Sequence, residues 1–565
     1  MSRLLRACAP VPSRIGMSEI CATKPFVADF RDHWPTKSIF CGIGFTRDKT
    51  ILGQRGWAEA NAQASIRRED LIAGRFLAVL VDDEKAEIFC DPMAQDTLYY
   101  WVSPGGKGAV VSNSLLALTG YLARSGVSLK LWKPAAFGFK YMHGGGLAAQ
   151  LFQPQTPVEG IAILDRDCCL EISRADNTLT LRRPVEPAKL NPPGMLDVRE
   201  ALKTFLINAC SRMKALSRIE GAITSCDLSG GRDSRIVFGL MLRSGIAPDK
   251  FAVFSQSSKP DDWAVASRVG EHYGVEIVNR KQASDSRIDA RSAVERWLYG
   301  AAGVYLPIYV STGENDGRTF DYHGGNFVAT AFARQSPETI SGRLVSKLAA
   351  RRVTKQAAEA LSESFLSWFR HARLDIAAPQ SMQAHYINFR SRFHYGRDWS
   401  TSHRTQRITP LIDRDLYTLY HQAGRPIENF YPDLLLAIDN FLAAEPFDKP
   451  SKAIPLHTLH ASEFWGKPIS FDADDLIAMK IYGDNNGMQE ARGNKEGKKP
   501  RSKSIKEVLS DTLSDVGEAA MDSGVFSTEE MGRARAELTE AKKLSHDART
   551  ASHVLQIGAL MKAMG

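Results

Sequence analysis

Two kinds of hydrophobic pattern divide the chain. Between residues 37 and 115, short runs of β-branched and aromatic residues alternate with polar turns; the runs are 38–46, 75–81, 85–90 and 109–112. This spacing predicts antiparallel strands, with a hairpin turn at residues 82–84. Beyond residue 195, apolar residues recur at helical spacing between single strand-like runs. That pattern predicts an α/β region with a parallel sheet.

The most informative stretch is a predicted strand, turn and helix. Residues 223–228 are typical of a buried strand, and Ser229, Gly230 and Gly231 are typical of a turn. A helix is predicted from near Asp233, because apolar residues then recur at helical spacing, namely Ile236, Val237, Leu240 and Met241.

This turn has the composition of a phosphate-binding loop. Its two glycines have no Cβ, so a phosphate can reach the backbone amides at the helix N-terminus. Ser229 and Ser234 add hydroxyl groups, Arg232 and Arg235 add positive charge, and Asp233 can hold Mg²⁺ against phosphate oxygens. The alternative is a plain glycine turn capped by Asp233 or Ser234. The string differs from a Walker A loop and from the dinucleotide-binding glycine turn.

The string Ser229-Gly-Gly-Arg-Asp-Ser234 resembles the pyrophosphate loop (PP-loop) of ATP pyrophosphatases, whose pattern is Ser-Gly-Gly-x-Asp-Ser. That superfamily binds the β- and γ-phosphates of ATP here and releases pyrophosphate while it forms an acyl-adenylate or a related intermediate. The resemblance implies ATP and Mg²⁺ as cofactors. With the carboxyl end of the predicted strand 251–255 at the same sheet edge, the expected ATP-binding residues are Leu228, Ser229, Gly230, Gly231, Arg232, Asp233, Ser234, Phe254, Ser255, Gly324 and Gly325.

Over residues 38–450 the chain resembles asparagine synthetases. The matching segments are 74–76, 91–100, 156–164, 261–274 and 409–413. The resemblance implies an α/β protein with two domains. The first would be a class II glutamine amidotransferase-like β-sandwich (αββα), and the second a PP-loop ATP pyrophosphatase domain of the adenine nucleotide α-hydrolase type, with a parallel sheet.

Two parts of the family pattern are altered. The family's glutaminase uses a cysteine at the mature N-terminus, but residue 2 is Ser, and removal of Met1 would expose neither Cys8 nor Cys21. The family's Asn-Gly-Glu substrate loop has no counterpart between residues 51 and 71, so the first domain is interpreted as a structural remnant. The family's acidic magnesium loop corresponds to residues 321–330, which keep the glycines and lose the acids.

The resemblance therefore implies Asp233 and Asn326 as Mg²⁺ ligands, with Asn326 the weaker one. The candidate catalytic residues are Asp262, His323, Lys449 and Lys452. Asp262 would face the acyl substrate or simply cap its helix. His323 would contact a ligand or be a loop histidine whose hydrogen bonds are satisfied within the protein. Each lysine would stabilise pyrophosphate or lie on the surface.

The expected domain order follows from composition and resemblance. Residues 1–36 are expected to be a partly disordered leader, and residues 37–185 the degenerate amidotransferase-like domain. A proline-rich linker at 175–195 would precede the synthetase domain at 195–470. Residues 471–565 would form a helical extension with a basic mobile loop and a final helix pair, whose last helix opens at Ser527.

Composition narrows the function. Of 565 residues, 44% are hydrophobic, and no apolar run is long enough to span a membrane. The eight cysteines include no Cys-x-x-Cys pair, which indicates reduced thiols in the cytoplasm. A net charge of +8 suits phosphate ligands and does not argue for nucleic acid.

The resemblance implies an ATP-dependent, AMP-forming amide ligase that joins a small-molecule or peptide carboxylate to an amine or ammonia. The missing glutaminase residues make it similar to β-lactam synthetases and lasso-peptide cyclases. Alternatives are a glutamine-hydrolysing asparagine synthetase, a catalytically silent ATP-binding or scaffold protein, and an RNA-modifying PP-loop enzyme. A homodimer is left open.

Overall fold

A computed structural model has the secondary structure of a mixed α/β protein. The residues it describes are 25–31, 34–141, 147, 150–166, 168–183, 197–279, 288–312, 319–325, 335–396, 405–423, 427–449, 454, 459–460, 464–483 and 503–565. The expectation of an α/β fold is therefore confirmed at this coarse level.

The region before residue 184 contains ten strands and three helices within its described residues. The strands are β1 Val27–Asp29, β2 Ile39–Phe45, β3 Lys49–Leu52, β4 Ala73–Val81, β5 Lys85–Cys90, β6 Tyr99–Val102, β7 Ala109–Ser112, β8 Ile161–Ile163, β9 Cys169–Ser173 and β10 Leu179–Arg182. The helices are α1 Gly53–Gln63, α2 Leu115–Arg124 and α3 Lys133–Tyr141. The predicted hairpin is present as β4 and β5, which pair antiparallel.

These strands form two sheets that share one apolar core. Four strands lie in the order β1-β7-β6-β8, and the other six belong to a seven-stranded sheet. Alternate residues of β4 point to opposite faces, so Leu77 and Val79 join the core between the sheets while Phe76 and Ala78 pack under α1. The outer face of the four-stranded sheet packs against α2, since Tyr99 and Trp101 share a core with Leu118. The layers are therefore helix, sheet, sheet, helix.

Two expected boundaries were wrong. Residues 1–36 were expected to be a leader, but β1 lies within them and pairs with β7, so the fold begins before residue 37. Residues 175–195 were expected to be a linker, but β10 is an edge strand that pairs with β9. Its alternating residues Leu179 and Leu181 pack against the core between the sheets, and a linker would have no such face. The proline-rich residues 184–196 lie outside the described part of the chain.

The middle of the chain forms an entirely parallel five-stranded sheet. Its strands are β11 Ile223–Asp227, β12 Phe251–Ser255, β13 Ile277–Asn279, β14 Thr319–Tyr322 and β15 Gln406–Ile408, in the spatial order β13-β12-β11-β14-β15. Strand β11 lies at the centre of the sheet. On one side of it lie β12 and then β13, and on the other side lie β14 and then β15. The order of the strands therefore reverses between β11 and β14.

Helices connect and surround these strands. They are α4 Val198–Ser217, α5 Arg232–Arg243, α6 Pro260–Tyr273, α7 Ala290–Ala301, α8 Pro337–Ala350, α9 Lys355–His371, α10 Ser381–His385, α11 Arg392–Gly396, α12 Arg414–Ala423, α13 Ile427–Ile438 and α14 Asn440–Ala444. A π-helical turn, Tyr386–Ser391, joins α10 to α11. The predicted helix after the glycine turn is α5, and α6 ends at Gly274 in the left-handed conformation, as its sequence predicts.

The C-terminal segment is built into the rest of the fold. Strand β16, Lys480–Tyr482, pairs in parallel with β3 and completes the seven-stranded sheet. The four helices that follow are α15 Ile505–Asp522, α16 Thr528–Glu540, α17 Leu544–Asp547 and α18 Arg549–Met564. Ser527 and Glu530 form the predicted capping box of α16. The expected helix pair was wrong, because α18 follows and its apolar residues Val554 and Leu555 share a core with α2 and α7.

Two composition-based expectations can be compared with the structure. The six cysteines that the structure describes are all buried, as expected, and none of them forms a disulfide bond with another described cysteine. Within the described ranges, no helix is both long and apolar enough to cross a membrane. The expected basic loop lies almost entirely in residues 484–502, outside those ranges.

Candidate functional site

The reversal of strand order creates a crevice beyond the carboxyl ends of β11 and β14. Residues 228–231 follow β11 and lead into α5, while residues 323–325 follow β14. Ligands of open parallel sheets bind at such a switch point, because the two following loops diverge there. The predicted phosphate-binding turn therefore lies where the topology favours a ligand.

Close contacts explain the glycines of both loops. A Cβ on Gly230 would lie 2.3 Å from the Cβ of Asp448, and a Cβ on Gly324 would lie 2.8 Å from the Cβ of Asp233. Neither distance is tolerated by a real side chain, so these positions require glycine for packing of the loops. The amide of Asp448 also donates to the carbonyl of Gly230 over 3.3 Å.

The backbone amides of the turn donate to side chains of the site. Ser229 N–H donates to Ser234 Oγ (3.1 Å), and Gly231 N–H donates to Ser229 Oγ (3.2 Å). Gly230 N–H donates over 2.8 Å to Oδ1 of Asp262, a residue of the neighbouring helix α6. These three amides lie at a helix N-terminus, where an anion can be bound, but each one donates to a protein oxygen that an anion would have to replace.

An open cleft of about 660 Å³ lies over the turn, within the range of small-molecule sites. The described residues that line it are Asp227, Leu228, Ser229, Gly231, Arg232, Asp233, Ser234, Phe254, Ser255, Gln256, Lys259, Asp262, His323 and Gly324. Eleven of these are predicted site residues. The structure adds Asp227, Gln256 and Lys259, which the sequence analysis did not name as site residues. Asp227 lies within the predicted strand 223–228, Gln256 directly follows the predicted strand 251–255, and Lys259 shortly precedes the segment 261–274.

Two predicted residues of the loops do not line this cleft. Gly230 is covered by Asp448, and Gly325 packs against Ile412 while its carbonyl accepts from the Tyr431 hydroxyl over 3.4 Å. Ser255 does line it, and its buried hydroxyl has no hydrogen-bond partner among the described residues. A buried hydroxyl without a partner is costly, so Ser255 is suited to a polar ligand atom.

His323 links the two central strands through a pair of carboxylates. Its Nδ1 lies 3.0 Å from Asp227 Oδ2, and its Nε2 lies 2.9 Å from Asp321 Oδ2. Asp321 also accepts from the Ser225 hydroxyl over 2.8 Å. Burial opposes the charged ring, but the hydrogen bonds with the two aspartates outweigh it and raise the pKa of His323 to about 9.

His323 is therefore a largely covered cation at neutral pH, with both ring nitrogens engaged. This agrees with the expectation of a satisfied loop histidine, and because His323 also lines the cleft, its contact with a ligand stays a prediction. The sequence could not identify its role, because Asp227 and His323 meet only when β11 and β14 pair.

The two predicted magnesium ligands differ in outcome. Asp233 lines the cleft at the first turn of α5, and Asn326 lies outside the described residues. Within the described ranges, no group of three or more His, Cys, Asp or Glu side chains is arranged to hold a metal ion. Mg²⁺ beside phosphates commonly uses only one or two protein carboxylates, so Asp233 fits that role.

The basic residues near the turn have separate roles. Arg232 lines the cleft, and burial lowers its pKa. Arg235 was expected to add charge near the phosphate, and this was wrong. Its guanidinium is fully buried and donates to the carbonyls of residues 442, 445 and 446, which end helix α14. It stacks 3.9 Å from the Phe447 ring centre.

The candidate catalytic groups lie at different distances from the turn. Asp262 contacts it directly through Gly230. Lys449 is exposed and does not line the cleft, although the preceding residue, Asp448, packs on the turn. Lys452 lies outside the described residues. A lysine that does line the cleft is Lys259, whose Nζ lies 3.9 Å from Asp262 Oδ2.

Comparisons with known proteins do not assign this chain to a family. No protein-family model matches the chain, and no curated protein matches it significantly.

Proposed function

We propose that this protein is an ATP-dependent, AMP-forming amide ligase that resembles the asparagine synthetase family. The observation that carries the proposal is the Ser229–Ser234 turn. Its sequence pattern, its amides and its open cleft coincide at the switch point of a parallel sheet.

The architecture supports the same assignment. The helix–sheet–sheet–helix layering of the N-terminal region is compatible with a class II glutamine amidotransferase-like domain. The parallel sheet with its glycine turn after β11 is compatible with a PP-loop ATP pyrophosphatase domain. We therefore propose that the first domain serves as a scaffold and the second carries the chemistry.

In this proposal the turn holds the leaving group. The hydroxyls of Ser229 and Ser234 and the amide of Gly231 would bind the β- and γ-phosphates, with Arg232 and Lys259 adding positive charge. Phe254 and Ser255 would contact the adenosine part at the end of β12. Asp233 would hold Mg²⁺, which neutralises charge that develops on pyrophosphate.

The reaction would proceed in two displacements. A substrate carboxylate oxygen attacks the α-phosphorus of ATP, so that an acyl–phosphate bond forms and pyrophosphate leaves. An amine nitrogen then attacks the acyl carbon, an amide bond forms, AMP leaves and the nitrogen loses a proton. The chain's contribution is mainly to hold the triphosphate and the carboxylate in line.

Other features are compatible with this proposal. A reducing compartment such as the cytoplasm suits the six buried thiols. The substrates would be a small-molecule or peptide carboxylate and an amine or ammonia. A glutamine-hydrolysing asparagine synthetase is the narrower form of the same proposal.

The test measures adenylate chemistry directly. The full-length protein is incubated with ATP, Mg²⁺ and a pooled extract of carboxylic acids and amines, and AMP is resolved from ADP. We expect AMP and pyrophosphate from the wild type and at least 100-fold less from Asp233→Ala. Asp249→Ala is the matched control, because Asp249 is exposed in the turn before β12 and does not line the cleft.

Two other outcomes separate the alternatives. Binding of ATP without AMP formation, across extracts from several sources, would favour a catalytically silent nucleotide-binding protein. Failure of the wild type to bind ATP would contradict the proposal.

A further inference from the structure

The carboxylate of Asp262 occupies a hydrogen-bond donor of the anion-binding turn. Gly230 N–H donates to its Oδ1 over 2.8 Å, although Asp262 belongs to α6 and not to the turn. Its side chain is only 19% exposed, and its other oxygen lies 3.9 Å from Lys259 Nζ. Asp262 therefore places a negative charge on the residue next to Gly231, whose amide the proposed function assigns to pyrophosphate.

This contact differs from the other two acceptors of the turn. Ser229 and Ser234 accept amide hydrogens through hydroxyl groups, which can rotate and donate to an incoming phosphate. An ionised carboxylate can only accept hydrogen bonds. A free phosphate that approaches the turn is consequently repelled by Asp262 at short range.

Helix capping does not account for this contact. The N-cap residue of α6 is Lys259, and its side chain makes no capping hydrogen bond. Asp262 lies in the first turn of α6. A carboxylate there is favoured by the helix dipole wherever its side chain points. The Asp262 oxygen instead crosses to the turn after β11, so it couples α6 to the phosphate-binding turn.

Resting on the proposed function, we propose that Asp262 makes the turn selective for a metal-bound pyrophosphate group over free anions. A divalent cation brought with the phosphates offsets the negative charge of Asp262. Without the cation, Lys259 offsets this charge only in part, because it is 62% exposed and lies 3.9 Å away. Asp262 is thus a specificity-determining residue that makes pyrophosphate binding depend on Mg²⁺.

The test compares the affinity for inorganic pyrophosphate with Mg²⁺ and with EDTA, by calorimetry on the full-length protein. We expect Mg²⁺ to raise the wild-type affinity at least tenfold. In Asp262→Asn, which keeps an acceptor for Gly230 N–H, we expect the affinity in EDTA to rise at least tenfold and the effect of Mg²⁺ to fall below threefold.

Asp261→Asn is the matched control, because Asp261 precedes Asp262 in the same helical turn but is exposed and does not line the cleft. It should keep the wild-type dependence on Mg²⁺. Lys259→Gln is a second variant that removes the offsetting cation, and we expect it to increase the effect of Mg²⁺ at least threefold. It keeps the inference testable if Asp262→Asn does not fold.

The possible outcomes distinguish the two proposals. A wild type that binds no pyrophosphate in either condition would overturn the proposed function together with this inference. A wild type that binds pyrophosphate, with an Asp262→Asn variant that keeps the wild-type Mg²⁺ dependence or loses binding in both conditions, would overturn only the role of Asp262.

Discussion

Carboxylates meet backbone amides in both halves of the molecule, with different consequences. In the antiparallel half, residues 25–183, buried Asp91 accepts from the amides of residues 93, 95 and 96. Asp96 pairs with Arg75 over 3.0 Å. In the parallel half, residues 197–449, the Asp262 carboxylate accepts from the amide of Gly230 at the border of an open cleft. The first arrangement closes a turn onto itself and stabilises it. The second leaves the same chemistry accessible to a ligand.

Glycines differ between the two halves in the same way. Gly42 and Gly74 lie on the paired strands β2 and β4 with φ of +108° and +125°, and a Cβ at either would lie 2.2 Å or closer to a backbone carbonyl. Gly230 needs no unusual φ and is required by the approach of Asp448. We infer that glycines of the antiparallel half serve folding, whereas those of the turn serve loop packing around the cleft.

The largest expected effect comes from Gly74→Ala. Its Cβ would lie 2.1 Å from the carbonyl oxygen of Ile43 in a left-handed conformation, so both contact and strain oppose it. We expect the free energy of unfolding to fall by at least about 4 kcal/mol, measured by chemical denaturation. The ATP affinity of the molecules that remain folded should not change.

Gly105→Ala is the control for strain alone, because Gly105 has φ of +85° and nothing lies within 4 Å of its Cβ position. It should lower the free energy of unfolding by only about 1 to 2 kcal/mol. If Gly74→Ala instead reduced ATP affinity without loss of stability, the distinction between the halves would be wrong.

Gly230→Ala should show the opposite pattern. Its Cβ would displace Asp448 and with it the turn, so we expect the ATP affinity to fall about 100-fold, equivalent to about 3 kcal/mol. The free energy of unfolding should fall by only about 1 to 2 kcal/mol, since Gly230 has an ordinary φ and only the overlap with Asp448 opposes alanine. Equilibrium binding and denaturation of the same preparation measure both quantities.

Gly342→Ala is the control for the added methyl group. Gly342 lies within helix α8 with nothing within 4 Å of its Cβ position, so alanine should stabilise the protein by about 0.5 to 1 kcal/mol and leave binding unchanged. Wild-type ATP affinity in Gly230→Ala would show that the turn tolerates a side chain, contrary to the packing argument.

The sequence predicted the local parts of both halves and missed the contacts between them. The hairpin of β4 and β5, the turn and α5 follow from patterns within about 20 residues, where periodicity is informative. Strand β15 has three residues, too few for a periodic signal. Strand β16 joins a sheet whose other members lie before residue 184, and no local pattern encodes such pairing.

The same limit applies to the candidate site. Most predicted ligand-binding residues line the cleft because they directly follow strands whose ends meet at one edge of a sheet. Arg235 was misjudged because its role depends on carbonyls near residue 445, far along the chain. Asp227 was missed because an aspartate at the end of a strand is uninformative until His323 is placed beside it.

The smallest of these expected effects concerns His323, the charged link inside the parallel sheet. Its pKa in the folded protein, about 9, is above the ordinary value of 6.5. The resulting stabilisation is therefore fully present below pH 6.5 and is lost as the pH rises through 9. Between pH 7 and pH 9 we expect the contribution of this group to the free energy of unfolding to fall by at most about 2 kcal/mol.

The variant His323→Gln should remove that pH dependence, as measured by denaturation at a series of pH values. The control is His371→Gln, which alters an exposed histidine at the end of α9 and should keep the pH dependence. An unchanged slope in His323→Gln would show that the two aspartates do not hold a charged imidazole between β11 and β14.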